Sequence, residues 1–425
     1  MSAMTATETL KKYFGYDTFR IGQKTLIDYI LSGRDALGIM PTGGGKSLCF
    51  QIPALMASGM TLVVSPLISL MKDQVNALTK SKIAAAFINS SLSERQVAKA
   101  LYNAENRMYK LIYIAPERLL SQSFLAFAKS AQIFMVTVDE AHCVSQWGHD
   151  FRPSYLKIPE FTAQLRGHPV VSAFTATATP RVREDIVKLL KLKNPGILVS
   201  GFDRPNLYFA VKKPEDKFAE LIEYLKDKKE RSGIVYCSTR AAVEEVCGRL
   251  NKNGYKASRY HAGLSDDERQ ANQDDFLHDR VNIMAATNAF GMGIDKANVS
   301  FVVHYNMPKD IEGYYQEAGR AGRDGRPAEC VLFYGEGDVA TGTWMIENGS
   351  DIEYPDSKTE KRLKKRSRKR LRDMSLYCST KKCLRGYILK YFGEHKRKRC
   401  GNCGNCDKTA KGGMFKRFKK TGGGK

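Results

Sequence analysis

The sequence predicts an α/β protein: two tandem parallel-sheet domains followed by a small helical, cysteine-rich subdomain. Short apolar strands alternate with helical patterns twice over, the order that builds parallel sheets covered by helices. Between the two series, Gly201-Phe202-Asp203-Arg204-Pro205-Asn206 has turn chemistry and no periodicity, as expected at a domain boundary. After about residue 345 the strands stop, and basic helical sequence leads to five cysteines, Cys378, Cys383, Cys400, Cys403 and Cys406, crowded into about thirty residues. The expected divisions are residues 1–202, 203–345 and 346–410, with a flexible Gly- and Lys-rich tail over 411–425.

In the first series the strands fall at 36–40, 61–65, 111–115, 133–138 and 170–174. In the second they fall at 233–237, 281–285, 299–305 and 329–334. A chain of 425 residues exceeds what one hydrophobic core fills, in keeping with more than one domain. Beyond them, Leu363, Leu371, Met374 and Cys378 share one helical face, and Leu384, Ile388, Leu389 and Phe392 form a second apolar stripe. No apolar run reaches membrane-spanning length and no signal-peptide core is present near Met1, so a cytoplasmic protein without a membrane partner is expected.

The formal charge is +23, of which +21 lies within residues 358–425. Such an excess suits a polyanionic partner and is confined to the C-terminal sixth, leaving the remainder nearly neutral. Lys361 to Arg372 reads as a solvated basic helix that can also serve a phosphate backbone. Cys49, Cys143, Cys237, Cys247 and Cys330 are scattered in apolar surroundings and read as core or reduced surface thiols.

Pro41-Thr42-Gly43-Gly44-Gly45-Lys46-Ser47 follows a strand and opens a helix. Its glycines let backbone N–H groups turn toward phosphate oxygens, Lys46 would reach the β- and γ-phosphates, and Ser47 would ligate Mg²⁺. Met40 stands where the strict pattern has its first Gly, so the match is to the looser Gly-Lys-Ser form. The buried strand 133–138 delivers Asp139 and Glu140 at its carboxyl end, where α/β sheets bind ligands. Asp139 can hold Mg²⁺ and Glu140 can polarise an attacking water, so ATP hydrolysis is favoured over nucleotide binding alone. Upstream, Tyr16, Arg20 and Gln23 are spaced to surround a purine, with the Gln23 amide complementing adenine N6 and N7. Downstream, Gln316 heads a run containing Arg320 and Arg323, two arginines expected on one helical face as fingers for the γ-phosphate. Trp147, only seven residues beyond Glu140, lies within about 23 Å of it along the chain. An aromatic, cationic loop thus adjoins the carboxylates.

Taken together, these segments resemble RecQ-type DNA helicases of helicase superfamily two. The resemblance is carried by Phe14-Gly15-Tyr16 with Phe19-Arg20 and Gln23, Pro41 to Ser47, Ser65 to Leu70, Ala115 to Arg118, Asp139 to Pro153, Phe174 to Pro180, Tyr236 to Arg240, His261 to Leu264, Thr287 to Lys296 and the Arg320/Arg323 run, over roughly residues 8–407. It implies two RecA-like domains and a helical zinc-binding subdomain. It further implies ATP-dependent 3′ to 5′ movement on single-stranded DNA with unwinding of tailed or branched duplex, in repair and recombination. Ser65, Pro66, Arg118, Thr239 and Thr287 match positions that track the DNA backbone, and Trp147, His149, Phe151 and Arg152 match the aromatic-rich loop that senses DNA. A monomer is expected, with single-strand-binding or recombination proteins as partners and association with the nucleoid in a bacterium. Relatives continue past the zinc module into a winged helix and often a further helical domain, whereas a short tail follows Cys406 here. ATPase and translocation are therefore better supported than strand separation, and the basic helix is a candidate to hold duplex.

Cys400, Cys403 and Cys406 form two tight knuckles that call for a fourth ligand. Cys383, in a context resembling the family's zinc subdomain, is assigned that place for Zn²⁺. Cys378 is read as packing. An iron–sulfur cluster is disfavoured, because no proline follows Cys406. Two other functions compete. One is an RNA-stimulated DEAD-box ATPase, disfavoured by His142 and the loop after it. The other is a nucleic-acid-binding zinc protein with an inactive motor, disfavoured by Lys46, Asp139, Glu140, Arg320 and Arg323.

Overall fold

The computed structural model describes residues 4–290, 296–349, 356–394 and 399–407. The tail expected over 411–425 and the 291–295 part of the segment Thr287 to Lys296 lie outside these. Two compact units are present, one ending at Phe202 and the next starting at Asp203.

The first unit holds a seven-stranded sheet made of β1 (Ala36–Ile39), β2 (Met60–Val64), β3 (Ala85–Ile88), β4 (Leu111–Ile114), β5 (Ile133–Val138), β6 (Val170–Thr175) and β7 (Gly196–Val199). Its order is β3-β4-β2-β5-β6-β1-β7, and every pairing is parallel. β1, β2 and β4 are buried along their whole length because helices cover both faces of the sheet, so their sequences are continuous apolar runs. Since all strands run the same way, the segments after β1, β2, β5 and β6 emerge at one edge. This brings Pro41–Ser47, Ser65-Pro66, Asp139-Glu140 and Ala176-Thr177 to the same end of the sheet.

The second unit has six parallel strands: β8 (Leu207–Lys212), β9 (Gly233–Tyr236), β10 (Ala257–Tyr260), β11 (Ile283–Ala286), β12 (Phe301–His304) and β13 (Ala328–Phe333). Their order is β10-β11-β9-β12-β13-β8. Helices Glu336–Asn348, Ser357–Ser379 and Leu384–Tyr391 follow. The first two approach closely at Gly342, where a Cβ would meet Leu371 Cδ1 at 2.7 Å. Leu371, Met374 and Cys378 are buried as the periodicity predicts, with Tyr377 on the same face and Leu363 only partly covered. The second stripe, Leu384, Ile388, Leu389 and Phe392, is buried throughout.

Two expectations are corrected. The sequence was expected to form nine strands, but the described residues contain thirteen; β3, β7, β8 and β10 are the additional four, and each is an edge of its sheet. Arg320 and Arg323 do not share a helical face, because the helix Ile311–Ala318 ends before them and both lie in the turn that follows.

Candidate functional site

The loop after β1 is shaped by its glycines. Gly43 and Gly45 have φ of 79° and 77°, in the left-handed region, and a Cβ on Gly45 would sit 2.3 Å from Gln23 Nε2. Gln23 is buried, with both ends of its carboxamide in use. Its Oε1 accepts from the Arg20 backbone N–H at 2.7 Å, and Nε2 donates to the Gly45 carbonyl at 3.0 Å. Arg20 donates to the Gly43 carbonyl. In this arrangement Gln23 and Arg20 therefore brace the loop from outside, rather than presenting an open amide edge to a base. Tyr16 is exposed, as a stacking surface requires. Lys46 and Ser47 start the helix Lys46–Met56, and Thr42 and Gly44 lie in the partly buried turn before it.

Glu140 adopts φ 46° and ψ 47°, a strained backbone for a residue with a side chain, and begins a short 3₁₀ turn over Ala141–Val144. The Glu140 N–H donates to Asp139 Oδ1 at 2.9 Å, and the Tyr155 hydroxyl donates to the Asp139 carbonyl at 3.0 Å. Burial and the adjacent Glu140 charge push the Asp139 carboxyl up, against the pull of Lys46. Burial opposes ionisation of Glu140 as well, but hydrogen bonding to His142 and the charges of His142, Lys46 and His149 hold it below the ordinary carboxylate range. Asp139 and the Ser47 hydroxyl are hard oxygen donors of the kind that holds Mg²⁺, and a buried carboxylate pressed by a second carboxylate gains from a cation.

His142 connects this centre to the rest of the unit. Its Nδ1 lies 2.8 Å from Thr175 Oγ1 and 3.3 Å from Glu140 Oε2. The Thr175 hydroxyl is positioned to donate to the Thr177 carbonyl at 3.2 Å, which leaves Nδ1 as the proton carrier toward Thr175 and Glu140. On its other side the imidazole stacks on His149. Neither His142 nor Thr175 stood among the expected site residues. A histidine two residues past a candidate base, departing from the second Asp of a DEAD-box motif, was the available signal.

The loop that follows is held by several contacts. Ser145 Oγ donates to Asp185 at 2.5 Å and accepts from the Trp147 N–H at 3.1 Å, and the Arg181 guanidinium lies 3.2 Å from the centre of the Trp147 ring. Trp147 and His149 are partly exposed. Phe151 is buried, and Arg152 donates to the Pro66 carbonyl at 2.8 Å and pairs with Asp150. Ser65 is buried with its hydroxyl unpartnered, and Arg118 is partly exposed in the 3₁₀ turn Pro116–Arg118.

In the second unit, Thr239 caps the helix Arg240–Lys252 by accepting from the Ala242 N–H at 3.1 Å, and Thr287 lies just past β11. Gln316 is buried on the helix Ile311–Ala318. The Tyr236 hydroxyl donates to the Phe290 carbonyl at 2.8 Å, and the charges of Arg320 and Arg323 both act on that phenol.

Cys383, Cys400, Cys403 and Cys406 gather with all four Sγ atoms within 4.8 Å of one another, and Cys383 and Cys403 are 4.0 Å apart. A tetrahedral Zn²⁺ with bonds of about 2.3 Å sets sulfurs about 3.8 Å apart, so the set fits. Backbone N–H groups of Gly386 and Asn402 donate to Cys383 and Cys400, each at 3.3 Å, as support for thiolates. Burial disfavours the Cys406 thiolate, but backbone donors at Cys400 and Gly401 and the thiols of Cys383 and Cys403 outweigh it and bring its pKa down to about 7. The knuckle also extends the sheet: Cys403 bridges Phe209 of β8, and the Gly404 N–H donates to the Phe209 carbonyl at 2.8 Å. Cys378 is buried away from this group.

Comparison with known proteins places each part. A DEAD/DEAH box helicase family model matches residues 20–186, a helicase conserved C-terminal domain model matches 216–325 and a RecQ zinc-binding model matches 336–407. The chain is 48% identical over 397 residues to "ATP-dependent DNA helicase RecQ" of Bacillus subtilis, covering 93% of this chain and 66% of that protein. It is 42% identical to the protein of the same description from Haemophilus influenzae, covering 94% and 63%. With "Probable ATP-dependent DNA helicase RecS" of B. subtilis it shares 40% identity, covering 87% and 75%. The chain thus spans slightly under two thirds of the first two relatives. Among solved structures, S. cerevisiae Dbp5 bound to RNA and ADP BeF3 aligns with a TM-score of 0.65 at 21% identity, covering 86% of this chain and 97% of that one. Mycobacterium smegmatis helicase Lhr bound to ssDNA and AMP-PNP aligns at 0.64 and 19%, covering 88% and 57%. These two likenesses concern the fold. No helix among the described residues is long and apolar enough to cross a membrane.

Proposed function

The chain belongs to the RecQ family of DNA helicases, and from that premise we propose that it couples ATP hydrolysis to 3′ to 5′ movement on single-stranded DNA and to duplex unwinding, in DNA repair and recombination. Residues 1–202 and 203–345 act as the two RecA-like motor domains, and 346–410 as the zinc-binding subdomain.

Lys46 and the amides of Thr42 to Ser47 bind the β- and γ-phosphates in a loop that Arg20 and Gln23 brace, with Tyr16 and Gln316 completing the nucleotide-binding set. Ser47 and Asp139 would hold Mg²⁺, which when bound neutralises charge on the transferring phosphate. Glu140, kept ionised by His142, draws a proton from the attacking water, and Arg320 and Arg323 offset the negative charge that develops on the phosphoryl group. Ser65, Pro66, Arg118, Thr239 and Thr287 contact the strand's backbone, and Trp147 and His149 meet its bases while Phe151 and Arg152 anchor their loop.

The observation that most supports this reading is the continuous contact from Glu140 through His142 to His149. It gives the DNA-facing loop a path to the residue that activates water. Measuring ATP hydrolysis with single-stranded DNA, with RNA and without polymer, followed by unwinding of a 3′-tailed duplex, tests it. Hydrolysis stimulated by DNA with unwinding is expected. Hydrolysis indifferent to DNA would refute the proposal, and stimulation without unwinding would reduce it to a translocase. Tailed or branched duplexes are the expected substrates, with single-strand-binding or recombination proteins as partners.

A further inference from the structure

Arg204, the second residue of the second unit, holds the turn that carries Arg320 and Arg323. Its Nη1 donates to the Gly319 carbonyl at 3.2 Å, and its Nη2 donates to the carbonyls of Ala321 at 3.0 Å and Gly322 at 2.8 Å. One guanidinium thus holds carbonyls on both sides of Arg320, just past the end of a helix, where backbone acceptors lack helical partners and a cation is favoured.

Behind it, the Arg204 carbonyl accepts from Arg385 Nη1 at 2.6 Å. The same Nη1 pairs with Asp203 at 2.8 Å, and Nη2 donates to the Leu207 carbonyl. Arg385 is buried, two residues after Cys383. Asn402, inside the Cys400 to Cys403 knuckle, donates to the Pro205 carbonyl at 3.0 Å. The strip 203–207 is therefore gripped by the cysteine module on one side and grips the arginine turn on the other.

We propose that Arg204 is a positioning residue for hydrolysis, fixing the turn that aims Arg320 and Arg323, and that Arg385 makes this hold depend on an intact zinc module. The proposal rests on the reading of Arg320 and Arg323 as the charge donors to the phosphoryl group. Lysine cannot replace Arg204 fully, because an ammonium lacks the planar fork that spans several carbonyls at once.

The test uses the full chain loaded with zinc, with Arg204→Met, Arg204→Lys and Arg385→Lys. Backbone hydrogen exchange at residues 320–322 is read alongside zinc content and steady-state ATP hydrolysis with single-stranded DNA. For Arg204→Met, exchange at 320–322 rises about tenfold or more while β9 and zinc content are unchanged. kcat falls about tenfold or more with KM for ATP within about twofold, because misaligned groups lose transition-state contacts first. Arg204→Lys lies between, Arg385→Lys loosens the same turn, and stripping zinc from the unsubstituted chain does likewise. In an Arg320→Ala background, Arg204→Met brings no further loss of kcat. Exchange at 320–322 that stays unchanged, or that rises equally throughout the second unit, overturns the proposal, as does a looser turn with unaltered kcat. If the unsubstituted chain hydrolyses no ATP, the functional reading fails, and the exchange data alone decide whether the hold exists.

Discussion

The imidazole of His142 lies against that of His149, with ring centroids 4.3 Å apart and planes 17° from parallel. One partner touches the carboxylate of Glu140 and the other belongs to the aromatic loop, so the stack joins that loop to the Asp139-Glu140 carboxylates. Aromatic pairs of this kind contribute about 0.5–1.5 kcal/mol. If the stack couples DNA binding to hydrolysis, His149→Ala lowers the ratio of DNA-stimulated to basal ATPase by about 2- to 10-fold, leaves basal hydrolysis in place, and is partly reversed by His149→Phe. An unchanged ratio in His149→Ala would show that coupling runs elsewhere.

Gly45 gives a second prediction, because two physical demands coincide there. Its φ of 77° costs a side-chain-bearing residue about 1–2 kcal/mol, and its missing Cβ leaves room for the Gln23 amide. Gly45→Ala must pay in backbone strain and displace Gln23 from the Gly45 carbonyl. The expected result is a KM for ATP raised about tenfold or more, with a smaller rise for Gln23→Ala, which removes the brace alone. Equal KM values across the three proteins would mean that the loop's shape does not depend on this contact.

How much of this was readable in the sequence follows from burial. The strands of continuous apolar sequence, such as Ile133–Val138, are interior strands covered on both faces, and that is why they could be located. The four strands not foreseen are the four sheet edges. β3 is partly exposed along three of its four residues, β7 carries two exposed ones, and β10 resembles β3, so an apolar run was never required of them. β8 is largely buried, but it follows directly on the boundary segment that dominated the reading of that region. Arg320 and Arg323 were separable as chemistry but not as geometry, because the helix Ile311–Ala318 stops before them and the carbonyls just past its end are bonded to Arg204, more than a hundred residues earlier in the chain. His142 was visible only as a departure from another motif. Its contact with Thr175 is made between the ends of the neighbouring strands β5 and β6, thirty-three residues apart, which sequence spacing does not encode.

Metal removal separates Cys378 from Cys383, which stand five residues apart in sequence. Cys383 shares the four-thiol cluster, whereas Cys378 is packed with Leu371, Met374 and Tyr377 on the helix Ser357–Ser379. Structural zinc binding is itself folding energy, so loss of one ligand should unfold the module locally. Cys383→Ser is expected to lose zinc and melt at a lower temperature, and a strong chelator should reproduce this in the unsubstituted chain. Cys378→Ser retains one zinc per chain. Metal quantification alongside thermal melting decides it, and loss of zinc from Cys378→Ser with retention in Cys383→Ser would reverse the ligand assignment.

The basic helix Ser357–Ser379 turns Leu371, Met374, Tyr377 and Cys378 inward and leaves Lys361, Arg362, Lys365 and Lys369 exposed. A face used only for solvation would leave DNA binding indifferent to these four, whereas a face that neutralises phosphates releases counterions when duplex binds. Each phosphate contact then adds about 0.9 to the slope of log affinity against log salt. Replacing all four with Gln removes the charge while keeping good helix formers, so a change reports electrostatics rather than loss of the helix. The prediction is a slope for tailed duplex reduced by up to about 3.6, with weaker affinity at low salt. Stimulation of the ATPase by saturating single-stranded DNA should persist if, as proposed, it runs through the first unit's loop. An unaltered slope would assign the charge to solvation and leave the duplex without a holder on this helix.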